Sequence, residues 1–104
     1  MGSYRGKLDI IADILNVASR SARKTQIMFK ANLSYKLLQK YLGEIMEAAL
    51  IDFEDEKQCY ILTAKGEEFL DIYQEYSKSN KHIEKRLDDV RMKKNVLEKL
   101  CLGE

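Results

Sequence analysis

Six long cationic side chains, Arg20, Arg23, Lys24, Lys30, Lys36 and Lys40, fall between residues 20 and 43, and no acidic residue falls among them. Cations at that density neutralise a row of phosphates, and Lys36 and Lys40 share a face if their segment is helical. Interleaved with them are Asn32, Ser34, Tyr35 and Gln39, whose side chains donate and accept hydrogen bonds. Donors set among cations suit a surface that holds a sugar–phosphate backbone and reads base edges. Other chemistry has less to work with. Cys59 and Cys101 belong to no Cys-x-x-Cys motif, and with the single His82 they make no zinc set. No nucleophile–base pair, phosphate-binding glycine loop or metal cluster stands out, so no catalytic residue, cofactor or metal ligand is assigned.

These side chains need elements to carry them. Residues 5–18 set Leu8, Ile11, Ile14, Leu15 and Ala18 at helical spacing, which predicts an amphipathic helix. Ser19 and Ser21 are turn formers, and Ser21 or Ala22 precedes a short second helix of about 22–30 with Ile27 and Met28 on its apolar side. Asn32 takes a left-handed backbone conformation at low cost. Ser34 is a sound N-cap for a third helix, about 34–48, with Leu37, Leu38, Leu42, Ile45, Met46 and Ala49 as its apolar stripe. The period then changes. The runs "LIDFED" and "QCYILT" flank an acidic turn at Asp55-Glu56 and read as a hairpin with Phe53, Tyr60 and Leu62 inward. Thr63 is placed to N-cap a fourth helix, although Gly66 in its first turn is a poor helix former.

The order helix, helix, turn, helix, hairpin is that of a winged helix–turn–helix, a mainly α fold. The break at Asn32–Ser34 is then the turn, and the helix after it is the recognition helix, whose N-terminal turn meets base edges while its free N–H groups favour phosphate. The expected organisation is a winged domain over 1–65 and a C-terminal dimerisation helix over 66–104. Phe69, Tyr73, Tyr76, Asn80, Ile83, Leu87, Val90, Lys94, Leu97 and Cys101 follow one another along that helix at alternating steps of four and three. So long an apolar seam has no partner left within a chain this short, and it predicts a second copy. A parallel pair sets Lys94 against the partner's Lys94 and Arg86 near the partner's Arg91. One antiparallel register sets Lys94 beside the partner's Tyr76 and Ile83 against the partner's Leu87, and is preferred. A helix of some 35 residues is ~50 Å long, so an antiparallel pair would separate the two winged domains. Adjacent half-sites lie only ~34 Å apart on DNA, which predicts a dimer that spans distant grooves or bridges two duplexes.

The stretches "RKTQIMFKANLSYKLLQKYLGEIMEAALI" and "YILTAKGEEFL" also carry a resemblance. Over roughly residues 7–72 the chain resembles the archaeal winged-helix DNA-binding family typified by a small nucleoid (chromatin) protein. The "ANLSY" turn and the "LTAKG" helix opening are its most specific parts. The resemblance implies a homodimer that pairs its last helices as an antiparallel coiled coil and binds double-stranded DNA with little sequence preference. It implies a DNA-facing role for Ser34, Tyr35, Lys36, Gln39 and Lys40, and a dimer seam through Ile83, Leu87 and Val90. The sequence departs from a basic wing: the hairpin tip is Glu54-Asp55-Glu56, with Lys57 its one cation.

Composition bounds the alternatives. The 104 residues are 45% hydrophobic and 34% charged, with no proline and a formal net charge of +1. That net charge hides a segregation. Residues 1–50 hold eight Lys/Arg against four Asp/Glu, residues 51–75 hold two against eight, and residues 76–104 hold eight against five. A contact surface senses mainly charges within about 10 Å, so the local distribution matters more than the sum. No apolar run approaches the ~20 residues that cross a bilayer, and residues 1–15 lack a secretory pattern. A cytoplasmic, nucleoid-associated location with reduced cysteines is expected. The rival to a double-stranded DNA-binding homodimer is a winged-helix module that docks another protein, which the acidic wing favours. A ligand-responsive transcriptional repressor is a third reading, although no small-molecule ligand is evident. Tyr35 reads equally as a core cap or a DNA contact. Gly43 reads either as close helix packing or as close backbone approach.

Overall fold

The computed structural model describes residues 5–101; residues 1–4 and 102–104 lie outside the described residues. Its elements are α1 (Lys7–Ala18), α2 (Lys24–Lys30), α3 (Tyr35–Glu47), β1 (Ile51–Glu54), β2 (Cys59–Leu62) and α4 (Ala64–Cys101). This is the winged helix–turn–helix order, followed by a long C-terminal helix. The chain forms two compact units, one ending at Tyr73 and the other beginning at Gln74.

The first unit is built on one core. Ile14 and Leu15 of α1, Ile27 of α2, Leu38 and Ile45 of α3 and Ile51 of β1 have almost no solvent contact. Asn32 is left-handed, with φ 55°. The residues on either side of it, Ala31 and Leu33, are buried. The turn between α2 and α3 is therefore anchored at both flanks while the Asn32 side chain stays at the surface.

Several expected inward residues lie elsewhere. Helix α2 begins at Lys24 rather than near 22. Ser21 is left-handed, and Ala22 pairs with Tyr60 through reciprocal backbone bonds of 3.1 and 2.7 Å. This bridge adds a short extended segment beside the wing. Leu8 of α1 is exposed. On α3 the buried residues are Leu38, Tyr41, Leu42 and Ile45. The Tyr41 ring takes an inward place, and the stripe is narrower than expected, so that Leu37 and Met46 on its two flanks are exposed. Ala49 is left-handed beyond the helix end.

The hairpin pairs Ile51 with Leu62 and Phe53 with Tyr60. Directly opposed residues share one face, as expected, but burial fades along it. Ile51 is buried, Tyr60 and Leu62 are half-buried, and Phe53, nearest the tip, is exposed. Phe53 instead meets Tyr60 edge-on, with ring centroids 5.0 Å apart. Cys59 is buried although it lies on the other face.

The opening of α4 closes the end of α3. The Thr63 hydroxyl accepts from Gly66 N–H at 3.0 Å and donates to Ala49 O at 2.7 Å. Lys65 Nζ donates to Ala48 O at 2.7 Å. These bonds satisfy carbonyls that a helix end leaves unpaired. Gly66 is poor by propensity, but the site requires it. A Cβ there would lie 2.2 Å from Leu50 O and 2.6 Å from Leu62 Cδ1. One turn on, Leu70 is buried, with Phe69 and Tyr73 packed against the core. The Tyr73 hydroxyl donates to Asp9 Oδ1. The expected boundary at 65/66 and the contact boundary at 73/74 thus enclose a segment that is helical and packed into the first unit.

In the second unit, residues 74–101 are one uninterrupted stretch of α4, and none of them is buried.

Candidate nucleic-acid interface

The local chemistry of two helix starts builds the site. Ser34 is extended, and its hydroxyl accepts from Leu37 N–H at 3.2 Å. That cap fixes where α3 begins and so places Tyr35 and Lys36 in its first turn. Arg23 N–H donates to Gln26 Oε1 at 2.9 Å, which fixes the start of α2 at Lys24. Lys24 Nζ then lies 4.7 Å from the Tyr35 ring centroid and 3.4 Å from its hydroxyl. The first residues of the two helices are therefore linked by a cation–π contact at the surface. Tyr35 is exposed under a lysine rather than capping the core.

Lys36 and Lys40 are exposed on α3 opposite its buried stripe at 100° per residue, and Gln39 is exposed to one side of them. Gly43 joins them on that outward side, and a Cβ on it would meet nothing within 4 Å. Packing against a neighbouring helix is thereby removed as its reason. Glu44, the acid nearest these lysines along α3, is held by Lys7 of α1 at 2.8 Å. The Lys7 hydrogen bond keeps the Glu44 carboxyl below its ordinary pKa, and Glu44 raises Lys7 in return.

The other candidates fall into two further places. Arg20 and Lys30 line one surface cavity with Asn16, Ser21 and Gln26. Arg23 and Lys57 line another, which Glu56 also enters. Lys57 of the wing therefore keeps company with an acid as well as with Arg23.

Arg5 is the residue that sequence reasoning missed. Its guanidinium donates to Ala31 O at 2.6 Å and to Asn32 O at 2.9 Å, and is held by Asp13 of α1 at 2.9 Å. A cation on the carbonyls that end α2 complements both the unpaired acceptors and the helix dipole. Arg5 thus ties α1 to the turn that sets the angle of α3. Nothing local signals this, because the accepting residues lie 26 and 27 positions away. Asp9 is a second tie. Tyr73, and then the Gly6 N–H, hold its carboxyl below the usual carboxylate range.

Of the candidate dimer residues, Tyr73 lies in the first unit, bonded to Asp9. Tyr76, Asn80, Ile83, Leu87, Val90, Lys94 and Leu97 follow along α4, all exposed. Met92, Val96 and Leu100 are exposed as well and lie off the expected seam. Among the described residues no group of His, Cys, Asp and Glu is placed to hold a metal, and no helix is long and apolar enough to cross a membrane.

Residues 4–81 match the model of the winged helix-turn-helix family. The chain belongs to that family. It is 38% identical over 72 residues to an uncharacterized protein, MJ0290, of the archaeon Methanocaldococcus jannaschii. That match covers 68% of this chain and 33% of the relative, so the chain spans about a third of the relative's length. In structure it is similar to Sso10a-2, described as a DNA-binding protein from Sulfolobus solfataricus, with a TM-score of 0.76. The likeness covers 83% of this chain and 93% of that one at 24% identity, and it is a likeness of fold.

Proposed function

We propose that this winged helix-turn-helix protein is a homodimer that binds double-stranded DNA, with α3 as the recognition helix. The observation that carries the reading is the acid-poor surface where α2 and α3 begin. There Lys24, Tyr35, Lys36, Gln39 and Lys40 share one exposed region around capped helix starts. A helix of 10–12 Å diameter suits a major groove about 12 Å wide. Lys36 and Lys40 neutralise phosphates, Gln39 and Ser34 offer hydrogen bonds, and Arg20, Arg23 and Lys30 flank them as phosphate contacts. Asn32 contributes through the turn, and Lys57 through the wing, where Glu54, Asp55 and Glu56 oppose it.

The unburied seam of α4 supports pairing with a second copy, and its polar positions Asn80 and Lys94 favour the antiparallel arrangement. Chromosome organisation or transcriptional control in the nucleoid is the role that fits such a dimer, with no catalysis. The acidic wing supports one rival, a module that docks another protein.

Fluorescence anisotropy with a labelled random-sequence duplex tests the reading, with Lys36→Ala/Lys40→Ala beside the wild type. Micromolar or tighter binding that is weakened in the variant is expected. Absence of binding at low salt removes general DNA packaging.

A further inference from the structure

We infer that Gly43 marks the point of closest approach between α3 and the DNA, where the helix backbone itself is brought against the duplex. The inference rests on the DNA-binding reading and deepens it by naming how the helix seats.

Helix α3 keeps a glycine at one of its interior positions, although glycine is among the poorest helix formers. Three ordinary reasons for such a residue are removed by the structure. The position is helical, so no left-handed conformation is needed. No neighbour lies within 4 Å of where its Cβ would stand, so no packing in the chain excludes a side chain. The helix does not end there, since it runs on to Glu47. Gly66 supplies the contrast, because there a backbone carbonyl of the same unit fills the space.

What Gly43 leaves room for lies outside this chain. At 100° per residue it shares the centre of the outward side with Lys36 and Lys40, opposite Leu38, Tyr41, Leu42 and Ile45. It lies about 10 Å along the axis from Lys36 and one turn beyond Lys40. A helix with side chains is nearly as wide as the major groove. A bare backbone at the middle of the outward face lets the helix sink between the groove walls, with the two lysines leading. The occupant is a polyanion by the lysines that share this side, Lys36 and Lys40, with Glu44 already held by Lys7. The exposed Glu47, one turn beyond Gly43 on the same side, opposes it and sets the duplex towards the start of α3.

The test compares wild type, Gly43→Ala and Gly43→Leu on one labelled duplex at two salt concentrations, with melting temperatures for each. Both replacements are good helix formers on an exposed face, so both variants are expected to melt at or above the wild-type temperature. DNA affinity is expected to fall in order of size, about tenfold for alanine and about a hundredfold for leucine. The salt slope is expected to stay unchanged, because no charge is altered. Lys36→Ala/Lys40→Ala, run in parallel, should change that slope. Wild-type binding with equal or tighter binding by both Gly43 variants overturns the inference and leaves the DNA-binding reading standing. A wild type that binds no duplex at either salt overturns both.

Discussion

Helix α3 and the 74–101 stretch of α4 are both amphipathic, yet they settle their apolar faces differently. Helix α3 buries Leu38, Tyr41, Leu42 and Ile45 within its own unit and turns lysines to solvent. The 74–101 stretch buries nothing, and Ile83, Leu87, Val90 and Leu97 stay in water. The first region carries its stability inside one chain and offers the proposed DNA-facing surface on the far side of the same helix. The second has an apolar surface that the proposed pairing with a second copy would cover. That difference separates changes that act at every protein concentration from changes that act through assembly.

The largest effect is expected at Gly66. Gly66→Ala drives a Cβ into Leu50 O, and should cost about 3 kcal/mol or prevent folding. Denaturant melts should show the loss equally at all protein concentrations. Leu87→Ala is the counterpart in the other region. It should weaken self-association by about 1.5–3 kcal/mol, visible in sedimentation equilibrium and as a loss of Tm that shrinks as the protein is diluted below the association range. A Leu87→Ala loss that ignores concentration would erase the contrast between the regions.

Smaller effects sharpen the account of the first region. Arg5→Gln removes charged bonds to Ala31 O and Asn32 O, and should cost about 1–2 kcal/mol. Faster amide exchange at Leu33, whose N–H bonds to Met28 O, would locate that loss at the turn.

Asp9 gives the smallest effect and a pH signature. Its folded pKa lies below the ordinary value, so its contribution is present above the unfolded pKa and is lost as pH falls through the folded one. Asp9→Asn should cost about 0.5–1 kcal/mol at neutral pH, and its Tm curve should begin to converge with that of the wild type as pH falls below the ordinary carboxylate range. Parallel curves from pH 7 to 3 would remove the carboxylate from the account.

What was legible in the sequence was local. Ser34 as a cap, Asn32 as a left-handed turn residue, Thr63 as the opening of α4 and the hairpin about Asp55 all follow from chemistry within a few positions. The misplaced residues depend on depth and distance. Tyr41 is amphipathic, so periodicity alone does not say that its ring is buried, nor that the core stops short of Leu37 and Met46 on the two flanks of the stripe. Phe53 lies on the expected face of the hairpin but beyond the reach of the core. Gly66 conflicts with propensity because the reason for it is a carbonyl from another segment. Arg5 acts on a turn far along the chain. At the candidate site the cations were legible by type, but not their division into an α2–α3 surface and two flanking cavities.

The most direct test of the central claim is the slope of log affinity for a random-sequence duplex against log salt, for wild type and Lys36→Ala/Lys40→Ala. If the outward face of α3 meets DNA, wild-type binding should weaken steeply with salt. The variant should then bind more weakly at low salt, with a slope shallower by about 1.8 per bound protomer if each lysine displaces one counterion. Identical affinities and identical slopes for the two proteins would contradict the claim.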